Sequence, residues 1–210
     1  MKFAEIRELF GIADRDGFAE EEIQKAVKAW GTLPLALTDY YRELGANARV
    51  NRQQNFLVEP GKLFEQDEYL IFYLENQSAA RWGIRREDLS ADNPPVYCTV
   101  AEGIYELESD TLEEFLYAAA LFQAASWGLR FPSEELYSIS QQQAELIRQN
   151  YSPKPCGLRV WVNARFYGNH GDEVVMLMEN DDYDMIYGSE SEAHFQALEG
   201  FFGKMDLEAY

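Results

Sequence analysis

The segment Tyr69–Tyr97 constrains the fold more than any other part of this 210-residue chain. It begins with the apolar run Tyr69–Leu74, passes through the polar residues Glu75–Ser78, and continues as the short apolar segment Ala80–Ile84. Two short apolar runs separated by turn-forming residues predict a β-hairpin. Because Trp82 lies opposite an all-apolar strand in this hairpin, we expect its indole to be buried.

Helical periodicity is clearest outside the hairpin. Apolar residues recurring at helical spacing predict helices over residues 2–11, 18–30, 34–44, 111–126 and 140–150. Ser189 and Glu192 resemble a capping box, which predicts a final helix that ends near Phe202.

The remaining strands are predicted from alternation and from flanking turn residues. The candidates are Val96–Val100, Gly103–Leu107, Leu158–Phe166, Val174–Met178 and Tyr183–Tyr187. In Leu158–Phe166 every second residue is apolar, which is typical of one half-buried strand. The preceding Ser152–Gly157, rich in proline, resembles a linker.

These elements predict an α+β fold with a mixed, mostly antiparallel sheet flanked by helices. We expect residues 1–210 to form a single domain, since the length suits one domain and the composition can supply a packed core. A C-terminal strand meander followed by a helix occupies about residues 157–203 in this prediction.

The charge restricts the choice of partner. Asp and Glu number 37 against 18 Lys and Arg, a formal net charge of −19. Such a surface repels nucleic acids and anionic membranes and attracts basic proteins, although it also serves solubility alone. No apolar run is long enough to span a membrane, and the N-terminal residues do not form a signal peptide. With Cys98 and Cys156 expected to be free thiols, we expect a cytoplasmic protein.

No pattern of catalytic or ligand-binding residues stands out. The only histidines are His170 and His194, and neither cysteine nor any serine has a recognisable nucleophile context. The acidic run Asp181–Asp184 lacks the glycine and the terminal glutamate of an EF-hand loop. We therefore predict a protein that is not an enzyme, with no catalytic residue, cofactor or metal site.

The best candidates for partner binding lie in and after a predicted hairpin turn near the C-terminus. They are Glu179, Asp181, Asp182, Tyr183, Asp184 and Tyr187. No Lys or Arg occurs between Arg165 and Lys204, and a second acidic interval covers Glu102–Glu114. The alternative for the acidic residues is a solvated face without a partner. The tyrosines, together with Tyr40, Tyr41, Trp161 and Tyr167, are either exposed interface anchors or part of a second buried face.

A resemblance to a known family rests on the order of several short motifs. These are Leu33-Pro34, Tyr40-Tyr41, Leu44-Gly45, Tyr69–Leu74, Trp82-Gly83-Ile84 and Pro94-Pro95-Val96-Tyr97. In this order they resemble the SUKH superfamily of bacterial immunity proteins and eukaryotic cell-wall-synthesis regulators. The resemblance is closest over Gly31–Tyr97 and places a family-like core at about residues 18–110.

The resemblance implies an α+β domain without known catalytic residues. Bacterial members bind and block polymorphic toxins, often nucleases, and eukaryotic members are regulatory scaffolds. We therefore expect a non-enzymatic immunity protein whose partner is a basic toxin. The alternatives are a regulatory or scaffolding protein without a toxin partner and, less favoured, an unrecognised hydrolase. No binding residue of the family carries over to a position in this chain.

Overall fold

A computed structural model describes residues 2–180, 182–205 and 207–209. The α-helices within these ranges are α1 (Phe3–Phe10), α2 (Glu20–Trp30), α3 (Leu35–Glu43), α4 (Ala48–Asn51), α5 (Leu112–Gln123), α6 (Gln141–Asn150) and α7 (Glu192–Phe202). None of them is long and apolar enough to cross a membrane. The helices predicted from periodicity are confirmed, with ends shifted by a few residues.

The first sheet is antiparallel in every pairing that the described residues make. Its strands are β1 (Asn55–Leu57), β2 (Phe64–Gln66), β3 (Tyr69–Glu75), β4 (Arg81–Arg85), β5 (Val96–Ala101) and β6 (Ile104–Ser109). The order is β1-β3-β4-β5-β6, and β2 pairs with the same side of β3 beyond the end of β1. The predicted hairpin is β3–β4.

The second sheet is likewise antiparallel throughout the described residues. Its strands are β7 (Phe131–Pro132), β8 (Tyr137–Ile139), β9 (Pro153–Leu158), β10 (Ala164–Tyr167), β11 (Glu173–Glu179), β12 (Tyr183–Ser189) and β13 (Glu208–Ala209). The order is β13-β8-β12-β11-β10-β9, with β7 also on β12. The α+β class is confirmed, and the expected mostly antiparallel pairing is present as two antiparallel sheets.

Helix α5 explains why the strands form two sheets rather than one. Ten of its residues are buried, on all sides of the helix, and a helix that is apolar all round must be covered from several directions. The Phe115 ring packs on Phe72 and Trp82 of the first sheet, and Phe122 packs on Trp161 next to the second. The helix therefore contributes to a core that takes residues from both sheets. The single domain stays a prediction.

The second sheet is covered on both faces. One face carries Val174, Met176 and Ile186 into the core around α5. The other face packs Val175 and Leu177 against α6 and α7 in a separate cluster. Continuous apolar character in β11 follows from this double cover, since a strand buried on both sides cannot alternate.

Three sequence predictions in the C-terminal half are wrong. The linker-like Ser152–Gly157 contains most of β9. The single strand predicted over Leu158–Phe166 is divided, because the chain leaves the sheet after Leu158 and re-enters it at Ala164. Ser189 does not cap the final helix, since its hydroxyl donates to the Asp172 carbonyl oxygen and accepts from the Ser191 amide. Ser191 precedes the helix instead.

The burial of Trp82 is confirmed, and it is tied to a buried carboxylate. Trp82 is 1% exposed and Glu108 is fully buried. The indole Nε1 donates to Glu108 Oε2 at 2.9 Å. The other oxygen, Oε1, accepts from the backbone amides of Arg159 at 2.6 Å and Val160 at 3.3 Å. Glu108 thus joins a strand of the first sheet to the loop that interrupts Leu158–Phe166.

The two cysteines are free thiols, as expected, and both are buried. Burial raises the pKa of Cys156 to about 12 and raises the pKa of Cys98 further. We therefore expect neither thiol of the native protein to react with a disulfide reagent at pH 8, since the thiolate is the reactive form. Both should react once the chain is unfolded in denaturant. Rapid labelling of one thiol in the native protein would contradict this prediction.

Candidate functional site

The backbone is irregular where helix α5 ends. A single π-turn spans Ala124–Gly128, and Trp127 lies in it with φ 67° and ψ 16°, in the left-handed region. This conformation costs a residue with a side chain about 1–2 kcal/mol. Glycine stands one position later, where a Cβ would lie 2.4 Å from the Gln123 carbonyl oxygen. Tryptophan therefore occupies the position at which helices commonly place glycine.

The strained residue also exposes its side chain. The indole of Trp127 is 46% exposed, although Ser126 and Gly128 on either side are buried. Left-handed residues other than glycine cluster at functional sites. The surface next to Trp127 is therefore a candidate functional site.

Beside this indole lies an apolar groove of about 330 Å³, here called the Trp groove. Its principal lining residues are Trp127, Leu136, Trp161, Met176, Met178 and Ile186. Met176 and Ile186 lie opposite each other on β11 and β12 and form the floor. Tryptophan contributes a large rigid surface and methionine adapts its shape, which is a combination suited to an apolar side chain from a partner.

One wall of the groove is held rigidly. Trp161 packs edge-on against Trp82 at 5.7 Å and against Phe122 at 5.5 Å between ring centroids. The loop that carries Trp161 is fixed by two hydrogen bonds, which the backbone amides of Arg159 and Val160 donate to Glu108. A wall fixed before binding reduces the entropy lost when a partner docks.

A buried amide holds the chain segment that enters the groove at Gln54. The fully buried Gln123 accepts from the Gln54 amide at 2.8 Å and donates to the Tyr73 hydroxyl at 2.9 Å. The Gln123 side chain of α5 is therefore bonded both to Tyr73 of the first sheet and to the segment before β1. These hydrogen bonds hold the lining residue Gln54 in place.

The groove offers little chemistry beyond binding. Among its described lining residues, the polar side chains are those of Gln54 and Ser126. Neither is accompanied in the lining by a carboxylate, imidazole or thiol that could act as a base or nucleophile. The arrangement suits recognition of an apolar group.

The acidic candidates divide between two faces of the second sheet. Asp184 lies opposite Met178 in the β11–β12 register, so its side chain is on the groove face. Glu179 lies opposite Tyr183 and projects from the other face. There Glu179 pairs with Arg148 at 2.7 Å, and the Arg148 guanidinium lies 5.5 Å from the Tyr183 ring centre. These residues therefore do not form one binding patch.

The other members of the predicted patch also differ from one another. Tyr187 is 2% exposed, and its hydroxyl donates to a carboxylate oxygen of Glu199. It cannot contact a partner directly, because α7 covers it. Asp182 is exposed in the turn, and Asp181 lies outside the described residues.

Burial separates exposed anchors from a second buried face for most of the aromatic residues. Tyr40, Tyr41, Tyr167 and Tyr187 are buried, so the anchor interpretation is wrong for these four. Tyr167 and Tyr187 belong to the second core cluster, which confirms the second buried face. Trp161 is partly exposed in the Trp groove.

Trp127 was not among the candidates from the sequence. The available signal was the Trp127-Gly128 pair at the end of a largely apolar helix, where glycine would be expected first. Local patterns do not reveal which of two adjacent residues takes the left-handed conformation.

The two histidines are neighbours in space. The His170 and His194 rings stack with centroids 3.9 Å apart, and His194 Nδ1 lies 2.6 Å from Asp172 Oδ1. The part of the chain that the structure describes holds no group of three or more His, Cys, Asp or Glu side chains placed to bind a metal ion. That the protein is not an enzyme stays a prediction.

Comparison with known proteins adds no assignment: no family model, no curated protein and no solved structure matches the chain. The resemblance to the SUKH superfamily therefore stays a prediction from the motifs in Gly31–Tyr97.

Proposed function

We propose that this chain is a non-enzymatic binding protein whose Trp groove receives an apolar side chain from a basic partner protein. The observation that carries the proposal is the exposed, left-handed Trp127 beside an apolar groove. A strained backbone that presents a large indole to solvent contributes little to folding. It is explained by a partner that covers the indole, because buried tryptophans are frequent hot spots at interfaces.

The sign of the partner's charge follows from the rim of the groove. Asp184 borders the groove beside Met178, and the exposed Glu134 and Glu135 immediately precede the lining residue Leu136. With a net charge of −19, the chain as a whole attracts a basic protein and speeds its encounter. An apolar side chain flanked by Lys or Arg is the matching element on the partner.

Within this proposal the favoured biological role is that of a bacterial immunity protein. The resemblance to the SUKH superfamily supports this role, and toxins that act on nucleic acids are commonly basic, as this surface requires. A regulatory scaffold would use the same groove toward a partner that is not toxic. Expression of the partner alone distinguishes the two, since only a toxin arrests growth that co-expression of this chain restores.

Variants at Trp127 test the groove. The partner is first identified by affinity purification from the host with mass spectrometry, and then purified. We expect Trp127→Ala and Trp127→Gly each to weaken its binding by about 30-fold or more, as for a hot-spot tryptophan. In the free protein, the glycine variant should be more stable to unfolding than the alanine variant by about 1 kcal/mol, because glycine adopts the left-handed conformation without strain.

The matched control is Trp30→Ala. This variant removes another partly exposed indole, at the end of α2 and distant from Trp127 in the sequence. It should leave affinity unchanged. Equal affinities for wild type and both Trp127 variants would reject the groove as the binding site.

Charge variants test the acidic side of the proposal. Replacing Asp181, Asp182 and Asp184 by asparagine should slow association with the basic partner several-fold at low salt. The difference should shrink near molar salt, because ions screen exposed charges over about 8–10 Å even at physiological ionic strength. The measurement is the association rate constant against ionic strength.

The control for this experiment removes the same charge elsewhere. Asp67, Asp88 and Asp92 flank the first sheet, and their replacement by asparagine should slow association less. If the two triple variants had identical salt dependence, only the overall charge would steer the partner, and Asp181, Asp182 and Asp184 would have no special part.

A further inference from the structure

Most of the described sheet edges are protected against the addition of a further strand. Strands β1 and β2 are three residues long, and β13 is two residues long. Strand β9 contains Pro153 and Pro155, which cannot donate backbone hydrogen bonds. Short strands and prolines are common protections against the addition of a further strand.

Strand β6 has neither protection. It is six residues long, contains no proline, and is the last strand of the first sheet as described. One side of its backbone therefore faces away from β5 with no strand beyond it. The end near Glu108 is occupied, because this side chain accepts from the Arg159 and Val160 amides. The open part is Ile104–Leu107.

The side chains of the open part are unusual for a solvent-exposed edge. Ile104 is 55% exposed and Leu107 is 42% exposed. By alternation, Ile104 and Glu106 project from one face, and Tyr105 and Leu107 from the other. An edge with exposed apolar residues is a site at which another chain can pair.

The open part is also held in place. The Tyr105 ring stacks on Tyr69 with centroids 3.8 Å apart, and its hydroxyl donates to the Gln66 carbonyl oxygen at 3.3 Å. The side chain of Tyr105 therefore ties β6 across the sheet to the end of β2. An edge that is already extended and fixed loses less entropy when a strand is added.

We infer that Ile104–Leu107 accepts an extended, basic segment of a partner protein as an added strand. The acidic residues Glu102 and Glu106 select against a second copy of this chain, which would bring like charges together, and favour Lys or Arg. Alternation then places cationic side chains beside Glu106 and apolar ones beside Leu107. This inference rests on the proposed function only for the sign of the partner's charge, since it uses a different surface.

A synthetic peptide tests the edge without the natural partner. The probe is a capped heptapeptide of alternating arginine and valine, and the readout is the amide NMR spectrum of the full chain. We expect saturable shift changes concentrated in residues 104–107. The same peptide with N-methyl groups on alternate residues keeps its charge but loses the donors, and should bind at least about tenfold more weakly.

Charge reversal supplies the matched pair of variants. Glu106→Lys should weaken peptide binding about three- to tenfold, whereas Glu192→Lys, at an exposed position on α7, should change it little. Equal binding of the two peptides, equal effects of the two variants, or shift changes spread over the acidic surface would each overturn the inference. Trp127→Ala should leave peptide binding intact, so failure of the edge and failure of the Trp groove are distinguishable.

Discussion

Replacing Trp82 by alanine is expected to lower the free energy of unfolding by about 3–5 kcal/mol, the usual cost of truncating a fully buried large aromatic side chain. Trp82 is 1% exposed and packs against Tyr73, Phe115 and Trp161. Its removal would leave a cavity and also deprive Glu108 of a hydrogen-bond donor. Denaturant unfolding followed by circular dichroism measures the change.

Trp82→Phe separates the two contributions. Phenylalanine keeps most of the packing and loses the indole N–H, so we expect a smaller loss of stability than with alanine. An alanine variant with an unchanged unfolding midpoint would contradict the position of Trp82 in the core.

Replacing Glu108 by alanine is expected to destabilise the protein by about 2–4 kcal/mol, since one buried and two partly buried donors lose their acceptor and each unsatisfied buried group costs about 1–3 kcal/mol. The donors are the Trp82 indole and the backbone amides of Arg159 and Val160. Because two of them hold the loop that carries Trp161, binding in the Trp groove should weaken as well.

Glu106→Ala is the control for this variant. Glu106 lies two residues earlier on the same strand and is exposed, so its replacement should change stability by no more than about 0.5 kcal/mol. Equal unfolding free energies for the Glu106 and Glu108 variants would show that the buried carboxylate contributes nothing beyond an exposed one.

The elements predicted correctly are those determined by nearby residues. The β3–β4 hairpin follows from two apolar runs around a turn, and α5 follows from apolar residues that recur at helical spacing. Such signals are local, so they survive in a single sequence.

The incorrect strand over Leu158–Phe166 shows what local patterns miss. Its alternation is real, but Glu108 binds the amides of Arg159 and Val160 and draws the chain out of the sheet. Glu108 itself enters the core through an irregularity in the β5–β6 register, where Val96 pairs with Ser109 and Tyr97 pairs with Leu107. The sequence around Glu108 gives no sign of its bonds to Arg159 and Val160, because these residues are far apart in the chain.

Only the negative charge of the candidate site could be predicted from the sequence. Asp184 lies on the groove face, yet the β11–β12 register directs Glu179 to the opposite face. A shift of one residue would exchange them, so composition alone could not place them. The left-handed Trp127 depends on how the end of α5 meets the second sheet, and no short pattern encodes it.

The all-round burial of α5 has a consequence for the protein's synthesis. The ribosome completes α5 before it makes the strands of the second sheet, which supply part of the cover of that helix. From Gln123 to Ser189, translation at roughly 5–20 residues per second takes about 3–13 seconds. During that interval the apolar sides of α5 that the second sheet later covers lack this cover, and exposed apolar surface of this kind makes an incomplete chain prone to aggregation.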